Sequence, residues 1–265
     1  KAIKGWHAWN QRWGEKLYHE TGILIATSQT MAPGTYEHDS FAALTERGNN
    51  AERLESGSLA ERFPQWNGDK YIDGYYNPSA GWVEANRVVT WLAAEARASG
   101  VALRTEIQVS GLLEEGSRVT GVATSDGSRQ EADLVVVAAG AWTPTLLPQL
   151  ADVIRPVGQP ALYLRPSDPD QFRGPEFPCW TADISRTGWA GFPADGNGIV
   201  KIGNHGPGRP MEPDASRDMP AEDLSWFLEF LEGFMPDLAE APAEGKICLY
   251  TDTWDGNFWI GSPLD

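Results

Sequence analysis

A lysine and a histidine four residues apart are the side chains of this sequence with the clearest chemical potential. Lys201 interrupts the apolar residues Ile199, Val200 and Ile202, and His205 opens the turn rich in Gly and Pro that follows. A buried ammonium is costly unless another group compensates its charge. In a dry site a fixed cation can stabilise a developing anion, and a histidine can move a proton near neutral pH.

The same spacing also allows a structural role for both residues. Side chains alternate between the two faces of a strand, so Lys201 can point to solvent, opposite Val200 and Ile202. A single histidine beside Gly and Pro is often a turn residue whose ring is already hydrogen-bonded. The spacing alone therefore leaves a functional and a structural role open for Lys201 and for His205.

The remaining residues that could do chemistry form no metal-binding or hydrolase motif. The four histidines are not spaced three or four residues apart, and the two cysteines, Cys179 and Cys248, form neither a CxxC pair nor a disulfide framework. The sequence also lacks a GxSxG motif, a P-loop and a GxGxxG turn. We predict no metal site, and a small buried thiol is the simplest interpretation of each cysteine.

The composition is that of an acidic globular protein. The 265 residues are 41% hydrophobic, and the formal net charge is -16. This length suits one large domain or two interleaved ones. An acidic surface repels nucleic acid and anionic membranes, so we exclude those partners. We found no apolar run of transmembrane length and no signal peptide, and we expect a cytoplasmic protein; the oligomeric state stays open.

Hydrophobic periodicity predicts alternating helices and strands in the first part of the chain. Apolar residues at helical spacing indicate helices over 2–19 and 83–98, whereas residues 29–80 are mixed and polar. We predict strands over 22–27, 101–109 and 134–140, with a hairpin turn at Asp126-Gly127. The last strand, LVVVAAG, shows no alternation, which is typical of a parallel strand buried on both faces.

The pattern changes after residue 156. Short apolar runs at 161–165, 189–193 and 199–203 alternate with turns and predict a second, mostly antiparallel sheet, and an apolar stripe predicts a helix over 221–234. We therefore predict an α/β fold in which a layered sheet of the type that binds FAD or NAD(P) is interleaved with an α+β part.

Three segments carry a more specific pattern. Residues 132–147 (ADLVVVAAGAWTPTLL) end an apolar run in Gly-Ala-Trp, and residues 191–208 (GFPADGNGIVKIGNHGPG) join Gly-Phe-Pro to Lys-x-Gly-x-His. Residues 248–261 (CLYTDTWDGNFWIG) read Cys-x-Tyr-Thr-x-Thr-x-Asp-x-x-Phe. In this order, and with the predicted helix at 81–98, they resemble the sarcosine oxidase family of flavin-dependent amine oxidases, which includes fructosyl amino acid oxidases and is D-amino acid oxidase-like. The resemblance covers nearly the whole chain.

The resemblance implies an enzyme that uses FAD to oxidise the secondary amine of an amino acid. Dioxygen would be the electron acceptor, with an imine and hydrogen peroxide as products. A flavin dehydrogenase of the same fold, using another acceptor, is the alternative, because fold similarity does not separate the two. The implied FAD-binding domain comprises residues 1–20, 79–155 and 255–265, and the implied substrate domain comprises residues 21–78 and 156–254.

The resemblance also implies roles for particular residues. Lys201 would promote the reaction of reduced flavin with oxygen, His205 would serve proton transfer in the substrate site, and Tyr250 would line the substrate pocket. Cys248 matches the position that forms a thioether with the flavin, and other positions would contact FAD, namely Val109, Ala139, Gly140, Ala141 and Trp142. Trp189 and Trp254 would line the pocket. Ala190 stands where sarcosine oxidases tend to carry an aromatic residue, which suggests a wider pocket.

One part of the family pattern is missing from this sequence. Family members begin with a strand, a GxGxxG turn and a helix that holds the FAD pyrophosphate, and they end with a segment that closes over the flavin. We therefore expect this sequence to be an internal piece of a longer protein. A catalytically incomplete remnant without cofactor is the alternative that this expectation leaves open.

Overall fold

The computed structural model describes residues 2–67 and 70–262, in which helices and strands alternate along the chain. The helices are α1 Ala2–Trp13, α2 Tyr36–Glu46, α3 Ser56–Arg62, α4 Ala85–Ala98, α5 Thr143–Leu146, α6 Ala221–Phe234 and α7 Pro236–Ala239. The strands are β1 Tyr18–His19, β2 Ile23–Thr27, β3 Glu52–Arg53, β4 Asp73–Asn77, β5 Trp82–Val83, β6 Val109–Glu115, β7 Arg118–Thr124, β8 Arg129–Glu131, β9 Ile154–Leu164, β10 Cys179–Ala182, β11 Trp189–Phe192, β12 Val200–Asn204, β13 Arg209–Pro210 and β14 Ala243–Thr253.

The chain divides into two compact units, each built from three stretches of sequence. The first unit comprises residues 1–92, 159–207 and 217–247, and the second comprises the stretches between and after them, 93–158, 208–216 and 248–265. The stretches of the two units alternate along the sequence, as do those of the two predicted domains. The residue bounds of the units differ from those of the predicted domains. The N-terminal helix, which we had predicted in the FAD-binding domain, lies in the first unit. Residues 1 and 263–265 of that predicted domain lie outside the described residues.

The first unit contains a mostly antiparallel sheet, as predicted for the chain after residue 156. Its strands follow the order β9-β12-β11-β10-β2-β4-β3, and among these strands the pairing of β10 with β2 is parallel. The predicted runs at 161–165, 189–193 and 199–203 correspond to the end of β9, to β11 and to β12. The sheet brings strands from distant parts of the sequence side by side.

One face of this sheet is packed against α6 and forms the main core. Ile202 of β12 and Trp180 of β10 are fully buried there with Phe227 and Leu231 of α6. The predicted helix at 221–234 is therefore confirmed, and its apolar stripe covers the sheet. At Gly191 of β11 an added Cβ would lie 2.4 Å from the Trp180 ring, so only glycine leaves room for the indole.

The opposite face is covered at the β2 and β4 end by α2. Phe41 and Leu44 of α2 pack against Ile25 and Tyr75, and Tyr75 shares a hydrogen bond of 2.9 Å with Ser40. Residues 29–80 are mixed and polar, so the sequence pattern predicts no helix here. The start of α2 is fixed locally, since the Thr35 side chain accepts a hydrogen bond from the His38 backbone N–H.

The N-terminal helix is shorter than predicted. It ends at Trp13 rather than at residue 19, because Gly14 adopts a positive φ of 67° and Tyr18–His19 continues as β1. The apolar residues of this helix pack on one side, where Trp13 joins Leu17 and Val88 of α4 in a small core. None of the helices in the described part of the chain combines the length and the apolarity needed to cross a membrane.

The second unit contains a three-stranded antiparallel sheet of β6, β7 and β8, and the predicted turn at Asp126-Gly127 joins the last two. Two strand predictions here are wrong. Within 101–109 the strand begins only at Val109, because Glu106 adopts a φ of 60° that no strand accommodates. Residues 134–140 form no strand, and Leu134 and Val136 are 80% and 78% exposed. Among the described strands none pairs with this run, so its backbone lacks the ladder that a buried strand requires.

Candidate functional site

Lys201 lies in the middle of β12 on the face of the first unit's sheet that faces away from α6. Val200 and Ile202 point into the core and are fully buried, whereas Lys201 is half-buried. Tyr163 of β9 and Phe192 of β11 are its register partners on the two neighbouring strands. Its Nζ lies 5.6 Å from the Tyr163 ring centroid and 5.7 Å from the Phe192 ring centroid.

Within the described part of the chain, the Lys201 side chain forms no hydrogen bond and no ion pair. The strand surface beside it carries small residues, since Ala190 of β11 pairs with Gly203 of β12. An added Cβ at Gly203 would meet only the Pro160 carbonyl oxygen, at 3.8 Å. The Lys201 ammonium thus lies beside a flat part of the sheet, at Ala190 and Gly203, where no large side chain projects. A planar ring system can lie on such a surface.

His205 follows β12 directly and is held by a tight backbone turn. Its N–H donates to the Gly188 carbonyl at 2.7 Å, and the buried Asn204 side chain donates to the Thr187 carbonyl. An added Cβ at Gly188 would lie 2.7 Å from the His205 carbonyl oxygen, so the approach requires glycine. The His205 side chain is exposed, in the same unit as Lys201.

Trp189 does not line an open surface. It is 6% exposed and stacks on Phe230 of α6 with ring centroids 4.0 Å apart. Alternation along β11 turns its side chain toward the core, away from the face that carries Phe192 and Lys201. This position favours a packing role over the predicted place in a substrate pocket.

Cys248 and Tyr250 lie on β14, in the second unit. They are two residues apart and therefore share one face of the strand. Cys248 is half-buried and Tyr250 is exposed. By contrast, Cys179 in the first unit is buried, and burial raises the pKa of its thiol to about 11. Burial therefore makes Cys179 a poor source of thiolate.

The Gly-Ala-Trp segment forms a 3-10 turn over Gly140–Trp142 in the second unit. Gly140 adopts a φ of 53°, and an added Cβ would meet only Thr251 Oγ1, at 3.8 Å. Trp142 donates its indole N–H to Asp214 Oδ1 at 3.0 Å, which fixes one end of the turn. The space beside Gly140 is thus open, whereas Ala141 in the middle of the turn is buried.

The other predicted residues of the second unit lie on separate elements. Val109 is the first residue of β6 and pairs with Thr124, while Ala139 immediately precedes the Gly140 turn. Trp254 follows β14, is 68% exposed and donates its backbone N–H to the Val153 carbonyl at 2.9 Å. Three of the predicted site residues, Lys201, His205 and Trp189, belong to the first unit, and the remainder belong to the second.

Two neighbours of Lys201 were missed by the sequence analysis. Both residues, Tyr163 and Phe192, lie within predicted strands. Tyr163 stands between the core residues Leu162 and Leu164, and Phe192 follows Gly191, so alternation turns both side chains away from the core. The alternation was visible in the sequence. The register that places both rings beside Lys201 was not, because it depends on how three separate strands align.

The residues described suit a flavin nucleotide in both units taken separately. In the first, the flat surface at Ala190 and Gly203 lies beside the Lys201 ammonium, with which no carboxylate of the described residues pairs. In the second, the Gly140 turn leaves its backbone open to approach. A mixed α/β fold with these features is that of a flavin-dependent oxidoreductase. The chain belongs to the FAD dependent oxidoreductase family named DAO, whose family model matches residues 1–265.

Characterised relatives include amine oxidases. The chain is 26% identical over 269 aligned residues to monomeric sarcosine oxidase from Bacillus sp. (strain NS-129), covering 98% of this chain and 67% of that protein. It is 29% identical over 216 residues to N-methyl-L-tryptophan oxidase from Salmonella dublin, covering 80% of this chain and 56% of that protein. The chain thus spans between about half and two thirds of the length of these relatives.

Solved structures share the fold. The L-proline dehydrogenase of P. horikoshii matches with a TM-score of 0.82 at 19% identity, covering 98% of this chain and 68% of that one. Fructosamine oxidase (Amadoriase II) from Aspergillus fumigatus matches with a TM-score of 0.76 at 23% identity, covering 95% and 61%. These matches confirm the predicted mixed α/β fold class, and the family match confirms the resemblance found in the sequence.

Proposed function

We propose that the protein works as an FAD-dependent oxidase that acts on the secondary amine of an amino acid. Substrate and dioxygen would yield an imine and hydrogen peroxide. Membership of the FAD-dependent family and the names of the amine-oxidising relatives support this function. The observation that carries the proposal is the Lys201 ammonium: it lies between two rings on the sheet face away from α6, and no acidic side chain in the described part of the chain pairs with it.

FAD, when bound, would supply the redox chemistry: it would take two electrons, as a hydride, from the C–H bond beside the substrate nitrogen and pass them to dioxygen. In the second unit, the residues proposed to hold it are Cys248, Val109, Ala139, Gly140, Ala141 and Trp142. The open Gly140 turn supports this assignment. In the first unit, Lys201 and the flat surface at Gly203 support contact with a planar ring.

The proposed task of Lys201 is to stabilise negative charge that develops on dioxygen. A cation fixed before the reaction begins does this without reorganisation, and it acts most strongly where water is excluded. A neighbouring carboxylate would cancel the field, and none pairs with Lys201 among the described residues. The Gly203 and Ala190 surface leaves space beside the ammonium for the reactants.

His205 and Tyr250 are proposed to serve the substrate. An exposed imidazole on a rigid turn can accept and return a proton near neutral pH, which the oxidation of an ammonium substrate requires. Tyr250 and the exposed Trp254 supply aromatic surface for the amine and its substituent. Ala190 in place of a large residue supports a substrate bulkier than sarcosine.

Covalent attachment of the flavin at Cys248 is a finer part of the proposal. Cys248 is the more accessible of the two cysteines, and it shares a strand face with Tyr250. If the bond forms, yellow colour will stay with the protein after acid precipitation, and Cys248→Ser will release it. We also propose a cytoplasmic setting, because both cysteines are unpaired, as is usual in a reducing compartment.

The decisive experiment follows both halves of the reaction in the full-length protein by stopped-flow absorbance. We expect Lys201→Met to slow the reoxidation of reduced FAD by oxygen at least about 100-fold, as loss of a preorganised electrostatic group does, and to alter flavin reduction far less. Lys70→Met is the matched control, since Lys70 also lies over a ring, that of Phe234 at 4.3 Å. Equal slowing of both half-reactions would contradict the assignment.

The same experiment addresses the alternative of a flavin dehydrogenase, which the fold shared with an L-proline dehydrogenase keeps in view. An oxidase will transfer electrons to oxygen in preference to an artificial acceptor and will release peroxide. A protein that reduces a quinone or dye rapidly but oxygen slowly, with no effect of Lys201→Met, is a dehydrogenase.

A further inference from the structure

Two aromatic side chains flank the Lys201 ammonium, and neither has a role in the function proposed above. In the sheet register, Lys201 of β12 is directly opposite Tyr163 of β9 on one side and opposite Phe192 of β11 on the other. Adjacent strands lie about 4.8 Å apart, so the three side chains form one row across the sheet. We call this row, Tyr163, Lys201 and Phe192, the lysine bracket.

The two rings lie at nearly the same distance from the ammonium. Nζ of Lys201 is 5.6 Å from the Tyr163 centroid and 5.7 Å from the Phe192 centroid, both within the range of a cation–π contact. Among the described residues, neither the Lys201 ammonium nor the Tyr163 hydroxyl forms a hydrogen bond. The contacts that restrict the Lys201 side chain among the described residues are therefore those with the two rings. A lysine without such contacts samples many rotamers.

The neighbouring Lys246 shows what the bracket avoids. Its Nζ also approaches the Tyr163 ring, at 6.0 Å, but it pairs with the Glu244 carboxylate at 2.9 Å. A carboxylate would hold Lys201 equally well and would cancel its field. An aromatic ring attracts a cation through its quadrupole and carries no net charge, so it orients the ammonium without neutralising it.

We propose that Tyr163 and Phe192 are positioning residues that hold the Lys201 ammonium in place on the open face of the sheet with its charge uncompensated. The inference rests on the proposed function, because it assumes that the charge of Lys201 is needed there. It predicts that aromatic rings, and not the Tyr163 hydroxyl, are required at these positions.

The geometry is tested by NMR, without any measurement of activity. Protein with ¹³C-labelled lysine gives only lysine Cε–Hε signals, and Lys201→Met assigns the one of interest. Lys70, which lies 4.3 Å from the Phe234 ring, is an internal reference for a ring-shifted lysine, and the exposed Lys4 and Lys16 give the baseline.

We expect the Lys201 signals upfield of the baseline. Tyr163→Leu will remove about half of that displacement, because the two rings lie at equal distances, and Tyr163→Phe will keep it. Phe192→Leu, at a 38% exposed position, will remove a similar share without harm to the core. An unmoved Lys70 signal shows that each variant is folded. Lys201 signals at the baseline position, or signals that neither leucine variant moves, overturn the bracket.

The effect on function is tested in the full-length, FAD-loaded protein. Loss of one ring is expected to slow reoxidation by oxygen roughly 2- to 5-fold in Tyr163→Leu, the worth of one exposed cation–π contact, with the wild-type rate restored in Tyr163→Phe. An unchanged rate in Tyr163→Leu beside a slow Lys201→Met overturns the positioning role. A normal rate in Lys201→Met overturns the proposed role of the lysine itself, and the spectra separate that failure from a failure of the bracket.

Discussion

The turn that carries Gly188 toward His205 depends on one buried carboxylate, Asp183. Only 6% of Asp183 is exposed, and its Oδ1 accepts hydrogen bonds from the Thr27 hydroxyl at 2.8 Å, from the Ser28 N–H at 2.9 Å and from Arg186. Asp183 also has a φ of 50°, a conformation that Asp and Asn tolerate better than other residues with side chains. The carboxylate therefore joins strand β2 to the turn.

We predict that Asp183→Ala destabilises the protein by about 4 kcal/mol. Hydrogen bonds to a charged group contribute roughly 1.5–3 kcal/mol each, and donors left buried without a partner lose their hydration as well. The Arg186 side chain is partly exposed, so water replaces its lost hydrogen bond and reduces the total cost. Alanine at a positive φ adds about 1 kcal/mol to that cost. Asp183→Asn is the matched control, because its amide oxygen can accept hydrogen bonds in place of Oδ1 and asparagine tolerates the same backbone conformation, and we expect it to cost less than half as much.

The measurement is urea unfolding of both variants and the wild type, with midpoints compared at a common slope. An Asp183→Ala variant within 1 kcal/mol of wild type, or an Asn variant as unstable as the Ala variant, would show that the hydrogen bonds to the carboxylate are not what holds the turn. A further readout is the exposure of the His205 turn, since amide exchange at His205 should rise in the Ala variant because its N–H bonds Gly188.

The pH dependence of stability gives an independent check. Burial alone would raise the pKa of Asp183, but the hydrogen bonds from Ser28, Arg186 and Thr27 outweigh it and lower the pKa below its ordinary 3.8. A carboxyl with a lower pKa in the folded state stabilises the fold above its unfolded pKa, and this contribution is lost as the pH falls through the folded value. The stability gap between wild type and Asp183→Asn should thus be constant above about pH 5 and narrow below pH 4. A gap that stays constant down to pH 2 would contradict this.

Three further outcomes are expected. Gly191→Ala should destabilise the protein by roughly 1–3 kcal/mol in thermal unfolding, because its Cβ would lie 2.4 Å from the Trp180 ring, and tolerance of alanine there would mean that the indole is free to move. Gly203→Ala, with only a 3.8 Å contact, should leave the melting temperature within about 2 °C of wild type and serves as its control. In the third test, the protein without FAD is treated with a thiol reagent at pH 8, and Cys248 should react first. Cys179, which is buried and whose thiol has a pKa of about 11, should react only on unfolding. Rapid loss of two thiols would show that Cys179 is accessible.

Local patterns predicted several elements correctly because their signals are local in origin. The helix at 221–234 has its apolar stripe and acidic first turn in one continuous segment, and the turn at Asp126-Gly127 needs only its own residues. The helix predicted over 83–98 also has a local signal: α4 ends at Ala98, and Gly100 follows with a positive φ of 87°. By contrast, α2 was missed, since its cap at Thr35 was easily overlooked in a polar stretch.

The failure at residues 134–140 has a different cause. The run LVVVAAG has the composition of a strand buried on both faces, and a strand is stable only when a neighbour completes its hydrogen bonds. Composition says nothing about whether that neighbour is present. In the described structure Leu134 and Val136 are exposed and the run forms no strand. The pattern therefore reflects the strand propensity of these residues and not the conformation that they adopt.

The candidate site divides in the same way. The sequence by itself determined that Lys201 interrupts an apolar strand, that His205 follows it, and that the Cys248 and Gly140 segments accompany them in the order of the family to which the chain belongs. The tertiary structure alone decided that Tyr163 and Phe192 flank the lysine and that Trp189 is buried under α6. The physical reason is strand register: alternation within one strand is written in that strand, but the partners across a sheet depend on the alignment of segments distant in sequence.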